Sequence, residues 1–262
     1  MESIINSLFV KISGNPESQP VVFVHGFPYD HQMWQFQIEE LEKQFYCITY
    51  DIRGLGNSYV GDGQYTMEAF VWDLFSVIDR LELHEPVLCG LSMGGYISLR
   101  AVEKNENRFK ALILCDTRSE ADNNAGKLKR AYAINKINTM GLNAFVDDFV
   151  PGCFWNDSIE NKSELFNSVL TRSKSNNPLG VKGSLIAMLS RTDTTEALKK
   201  FNLPTLVLVG EHDSLTPPAV MKKMAKLIYK SQFAVVPGAG HMSPLENPDF
   251  VNEKIKNFIE NL

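Results

Sequence analysis

PVLCGLSMGGYISLRAV, residues 86–102, decides the reading of this chain. Val87 to Leu91 is a short apolar run of the kind a buried strand shows, and Tyr96, Leu99 and Val102 then fall on one face at helical spacing. Between them stands Gly90-Leu91-Ser92-Met93-Gly94, the G-x-S-x-G pattern of a sharp strand-to-helix turn. Such a turn strains the serine backbone, and side chains at Gly90 or Gly94 would collide with the neighbouring strand and helix. The geometry holds the Ser92 hydroxyl above a sheet edge, next to free N–H groups of a helix N-terminus. Five residues alone recur by chance, so the strand before and the helix after carry the weight.

Working outward, strands and helices alternate. Val21 to Val24 is a continuous apolar run ending in His25-Gly26-Phe27-Pro28; residues 31–41 read as a helix, 46–50 as a strand, and 66–81 as a helix with Thr66 as N-cap. Ala111 to Cys115 is another buried strand, and the rhythm returns with TLVLVG at 205–210, a helix over 218–229, a strand at 233–236 and a closing helix at 248–262. Residues 3–12 read as one or two short edge strands. This order calls for a mostly parallel sheet with helices on both faces. From Thr117 to about Leu198 there is helical periodicity and no convincing strand, which predicts a helical lid (117–198) inserted in a core of residues 1–116 and 199–262. Ligands bind at strand C-terminal ends in such sheets, so the lid is expected there.

Composition bounds the partners. The chain has 262 residues, 44% hydrophobic and 22% charged, and a net charge of −5, which argues against nucleic acid or an anionic membrane surface. No eighteen-residue apolar run and no signal-like start are visible, so neither a membrane span nor a leader is expected. Cys47, Cys89, Cys115 and Cys153 are scattered without C-x-x-C spacing, which suggests buried reduced thiols and a cytoplasmic setting.

A serine nucleophile needs a base, and the base needs an orienting acid, here in the order serine, acid, histidine. TLVLVG is followed by Glu211-His212-Asp213, and FAVVP by Gly238-Ala239-Gly240-His241. Asp213 and His241 thus leave parallel strands at the edge where Ser92 stands, with Glu211 and Asp116 as rival orienters. The backbone N–H groups of Met93 and Phe27 are candidates for an oxyanion hole. His25 is expected to bond loop backbone, His212 to be structural, and His31 and His84 to be surface or capping residues. Phe27, Trp34, Met93, Phe154, Trp155, Met188 and Met242 suggest an apolar pocket, with Trp155 singled out as a substrate contact. For the cap aromatics the alternative is packing within the cap. Arg118 and Arg130 could reach inward.

The set HGFP, DIRGLGNS, GLSMGG, GEHDSLTP and GHMSPLENP, in this order, resembles the α/β-hydrolase superfamily, closest in style to capped 3-oxoadipate enol-lactonase-like and small carboxylesterase-like members. The resemblance implies an eight-stranded, mostly parallel sheet, Ser92 as nucleophile, His241 as base, Asp213 as orienter, and Phe27 and Met93 as oxyanion donors. It also implies a structural role for the Asp51–Ser58 loop. One departure is the short N-terminus, which leaves little chain for a full first hairpin. The expected activity is cofactor-free and metal-free hydrolysis of a small ester or lactone with an apolar acyl part. Perhydrolysis, carbon–carbon bond cleavage with the same triad, and ligand sensing are the alternatives.

Overall fold

The computed structural model describes residues 1–262. Eight strands form one sheet: β1 (Glu2–Ile5), β2 (Leu8–Ser13), β3 (Pro20–Val24), β4 (Tyr46–Tyr50), β5 (Val87–Leu91), β6 (Ala111–Cys115), β7 (Thr205–Gly210) and β8 (Ser231–Val236). Their spatial order is β1-β2-β4-β3-β5-β6-β7-β8. Pairs from β4 to β8 are parallel, whereas β1–β2 and β2–β4 are antiparallel. The continuous apolar runs of β5, β6 and β7 are buried along their whole length, as strands covered on both faces must be.

The first hairpin is complete, contrary to the expectation from the short N-terminus. Asn6 and Ser7 both take positive φ (47° and 70°), so two residues suffice to reverse the chain. That is the backbone of a type I′ turn, which normally advertises itself with glycine.

The helices are α1 (Gln35–Leu41), α2 (Met67–Arg80), α3 (Met93–Lys104), α4 (Asn124–Met140), α5 (Leu142–Phe149), α6 (Asn156–Asn161), α7 (Ser163–Lys174), α8 (Pro178–Leu189), α9 (Thr195–Leu198), α10 (Pro218–Ala225), α11 (Ser243–Glu246) and α12 (Pro248–Glu260). α2 packs on α3 and α1 on α12, and these pairs cover the sheet. Thr66 caps α2 by accepting the Ala69 N–H at 3.1 Å, and Phe70, Val71, Leu74, Val77 and Ile78 form its buried face. Each such apolar side chain contributes about 1.5–3 kcal/mol when removed from water. The helix expected over 31–41 opens instead as a 3₁₀ turn at His31–Trp34, capped by Asp30. The helix expected over 218–229 ends at Ala225, and β8 begins two residues earlier than its apolar run. Between β6 and β7 lie six α-helices, α4 to α9, and no strand.

Strand order places the functional edge. From β3 the chain moves to β4 on one side and then returns to β5 on the other. The loops after β3 and β5 therefore diverge and leave a crevice at the strand C-terminal ends. His25 fixes the first of these loops. Its Nε2 accepts the Ile52 N–H at 2.8 Å, so its proton sits on Nδ1, which donates to the Gly26 carbonyl at 2.8 Å. Burial lowers the pKa of this imidazole and keeps it neutral.

The next loop is held by Asp51. Its carboxylate accepts the His31 N–H at 2.7 Å, His31 Nδ1 at 2.8 Å and the Asn57 N–H at 2.8 Å. His31 is thus a buried partner of an acid and not a surface residue, because the 3₁₀ turn swings it inward. Arg53 pairs bidentately with Asp73 on α2.

The packing of α3 on β3 has a direct test. A Cβ on Gly94 would lie inside contact distance of the Val24 and His25 carbonyl groups. Helix propensity alone predicts that Gly94→Ala stabilises by about 1 kcal/mol. Overpacking against backbone costs about 1–3 kcal/mol or more. The larger effect decides the sign, so urea unfolding should show Gly94→Ala to be less stable than wild type.

Candidate active site

The turn from β5 into α3 sets Ser92 at φ 52° and ψ −113°, a left-handed conformation that costs an L-residue on the order of 1–3 kcal/mol. Three hydrogen bonds hold it there. The Ser92 N–H donates to the Cys115 carbonyl at 3.0 Å, and its own carbonyl accepts from the Tyr96 N–H at 3.1 Å and from Thr117 Oγ1 at 2.8 Å. A Cβ on Gly90 would stand 2.5 Å from the Gly94 carbonyl oxygen, so the strand and helix ends meet only because both positions lack side chains.

Two further loops arrive from β7 and β8. They are tied together by the His212 N–H donating to the Ala239 carbonyl at 2.8 Å. Asp213, 3% exposed, accepts the N–H groups of Leu215 (2.8 Å) and Thr216 (2.9 Å) on Oδ1 and the Thr216 hydroxyl (2.5 Å) on Oδ2. The same Oδ2 is 2.8 Å from His241 Nδ1, and His241 Nε2 is 2.9 Å from Ser92 Oγ. A carboxylate accepts only, so the proton lies on Nδ1, and Nε2 presents its lone pair to the serine hydroxyl. The fold therefore brings together the three residues that the motifs singled out.

The rival acids are placed elsewhere. Glu211 is exposed and accepts the Gly238 N–H at 3.1 Å. Asp116 is fully buried; it accepts the Gly210 N–H at 2.8 Å and the Ser243 hydroxyl at 2.5 Å, bracing the β7 and β8 loops from beneath. The two buried acids are held at opposite ends of the scale. For Asp213, burial opposes the charge, but His241 and the Thr216 donors outweigh it and hold the pKa at about 2. For Asp116, burial and the nearby Asp213 charge push the pKa well above the usual carboxylate range.

Neither the Phe27 N–H, in the loop after β3, nor the Met93 N–H, first in α3, donates to a protein acceptor. Phe27 also lines a cavity of about 510 Å³ that opens over Ser92 and His241. This volume suits a small organic molecule. Its lining includes the apolar side chains of Phe27, Phe145, Phe149, Leu185 and Met188 and the basic residues Arg118, Lys129 and Arg130. Arg118 donates to the Leu215 carbonyl, and Arg130 is paired with Asp122 at 3.0 Å.

Trp155 is not among the cavity residues. Its indole stacks on His212 (centroids 4.3 Å apart, planes at 14°), while Trp34 packs on Phe23 in the core and Phe154 on Phe166. Phe145 and Phe149, which the sequence reading did not single out, face the cavity because they stand four apart on α5. That spacing was visible in AFVDDFV, but the face it would present was not. The four cysteines are free and buried. No group of three or more His, Cys, Asp or Glu side chains is gathered as a metal would require. No helix is long and apolar enough to cross a membrane.

A parallel sheet with a serine, a histidine and an acid on three C-terminal loops defines an α/β hydrolase architecture. Residues 19–248 match the alpha/beta hydrolase fold family, and the chain belongs to it. It is similar to 3-oxoadipate enol-lactonase 1 of Acinetobacter baylyi, with 26% identity over 256 residues covering 98% of this chain and 94% of that protein. Among solved structures, a thermophilic esterase from Thermogutta terrifontis (malate bound) superposes with a TM-score of 0.94 at 35% identity, covering 100% of this chain and 98% of that one. The enol-lactonase from Burkholderia xenovorans LB400 shares the fold with a TM-score of 0.91 at 24% identity, covering 99% and 100%.

The depressed Asp213 pKa gives a stability prediction. An unfolded aspartate titrates near 3.9, so the folded state holds this group's proton less tightly. Its contribution is complete above about pH 5 and is lost as pH falls through the folded value of about 2. In urea unfolding, the stability of wild type relative to Asp213→Asn should fall by about 1 kcal/mol between pH 5 and pH 3. A difference that stays flat across this window contradicts the placement of the charge.

Proposed function

We propose that this protein is a carboxylic ester hydrolase, acting on an ester or lactone through an acyl-enzyme. The observation that carries the proposal is the relay Ser92 Oγ to His241 Nε2 at 2.9 Å and His241 Nδ1 to Asp213 Oδ2 at 2.8 Å. The family membership and the named esterase and enol-lactonase relatives support the same hydrolytic chemistry.

In this reading His241 Nε2 takes the Ser92 proton as Oγ attacks the substrate carbonyl. The negative charge on the tetrahedral oxygen is met by the free N–H groups of Phe27 and Met93, a pair of donors of which each typically contributes about 2.7–4 kcal/mol. The imidazolium that forms is stabilised by Asp213, and it then protonates the leaving alkoxide as the carbonyl reforms. In a lactone the leaving oxygen stays attached to the acyl group. Water enters, loses a proton to His241 and attacks the acyl-enzyme, releasing the acid and restoring the Ser92 hydroxyl.

The acyl chain would lie against Phe145, Phe149, Leu185 and Met188, side chains of the segment between β6 and β7. This segment (117–198) would act as a cap that limits chain length.

Hydrolysis of p-nitrophenyl esters tests both parts. Ser92→Ala should abolish turnover, and Asp213→Asn should lower kcat by about 10⁴, since the amide favours the wrong imidazole tautomer. Acetate and butyrate should be turned over well and palmitate poorly. Activity surviving in Ser92→Ala would remove the nucleophile, and equal rates on palmitate would remove the limiting cap.

A further inference from the structure

Glu246, at the end of the short helix α11, carries a buried carboxylate that the relay does not use. It is 2% exposed. Oε1 accepts the N–H groups of Gly240 at 2.9 Å and Met242 at 3.1 Å, the residues on either side of His241. Oε2 accepts the Trp155 N–H at 2.9 Å, from a residue 91 positions earlier in the helical segment. Burial outweighs the other influences and raises the carboxyl pKa, while the Trp155, Gly240 and Met242 N–H groups and the Ser158 hydroxyl pull it the other way. No cation touches its oxygens, so the donors alone replace the lost water. Backbone N–H bonds to a carboxylate are charge-assisted and stronger than neutral ones.

The surroundings make this a junction. A Cβ on Gly240 would come within 2.6 Å of the Trp155 nitrogen, so the histidine loop and the segment touch backbone to backbone. The Trp155 indole stacks on His212, next to Asp213, and Lys162 on the same segment donates to the Glu246 carbonyl. A 3₁₀ turn at Pro151–Cys153 joins Trp155 to α5, whose Phe145 and Phe149 line the cavity. The path from the apolar wall to the base is thus short, with Val150, Cys153 and Phe154 buried along it.

Resting on the triad reading above, we propose that Glu246 is a positioning residue, which pins His241 by both flanking peptides and seats the acyl-binding segment on the same loop. Shifting the segment breaks a bond to the carboxylate that holds the base. Chemistry and acyl recognition are therefore coupled through one side chain.

Glu246→Gln separates the two roles. The amide oxygen still accepts from Gly240 and Met242, but its NH₂ meets the Trp155 N–H donor to donor. Active sites are first counted by the stoichiometric burst of diethyl p-nitrophenyl phosphate. A wild-type burst that maps to Ser92 secures the triad reading independently, and its absence would fail that reading and not this one. Per active site, Glu246→Gln should raise KM for p-nitrophenyl butyrate about fivefold or more and lower kcat on the acetate ester severalfold. A loss of burst amplitude or of Tm with KM and per-site kcat unchanged means a merely structural role and overturns the proposal. Should Glu246→Gln not fold, Lys162→Met reads the same junction from the segment side. It should raise KM for butyrate at least twofold, and an unchanged KM overturns the coupling.

Discussion

The whole site depends on how closely α3 approaches β3. Gly94 lies against the Val24 and His25 carbonyl groups with no room for a side chain, and that contact fixes where the turn after β5 must end. Ser92 then takes a φ of 52°, held by Cys115 on one side and by Tyr96 and Thr117 on the other. The strain of one residue is small beside the packing of strands buried on both faces. The sheet can therefore impose a conformation that no short peptide would choose. What results is a hydroxyl projecting over the crevice and, beside it, a helix N–H with no partner.

Around that fixed point, environment decides which buried acid stays charged. Asp213 and Asp116 stand on neighbouring strand ends, yet one is held at about 2 and the other pushed far up. Asp213 has an imidazole, two N–H groups and a hydroxyl on its oxygens. Asp116 has one N–H and one hydroxyl, with the Asp213 charge nearby. The anion therefore sits where it can orient the imidazole, while the second acid braces the loops below. Glu246 adds a third arrangement, a carboxylate held by three backbone N–H groups and the Ser158 hydroxyl, with no cation, at the seam between the histidine loop and the helical segment.

Much of this was legible in the chain because it is local. Apolar runs, helical spacing and the glycines around Ser92 reflect the immediate backbone, and they predict the parallel sheet and the loops from which Ser92, Asp213 and His241 emerge. The parts that were not legible depend on distant partners. His31 reads as a surface residue until Asp51 is seen to accept two of its N–H groups. Trp155 reads as a pocket aromatic, yet its indole lies on His212 and its backbone on Glu246. Glu246 has near partners in GHMSPLENP, Gly240 and Met242, but its bond to the Trp155 N–H, 91 positions earlier, leaves no local signature. The first hairpin was obscured for a different reason: Asn6 and Ser7 make a left-handed turn without glycine.

The account stands or falls on a histidine-activated Ser92. The most direct measurement is peptide mapping of the intact protein after reaction with a fluorophosphonate ester, in wild type and His241→Ala under the same conditions. The account predicts a single adduct, on Ser92, formed rapidly in wild type and slower by several orders of magnitude in His241→Ala. An adduct on another residue, or equal labelling of Ser92 in both proteins, would contradict it.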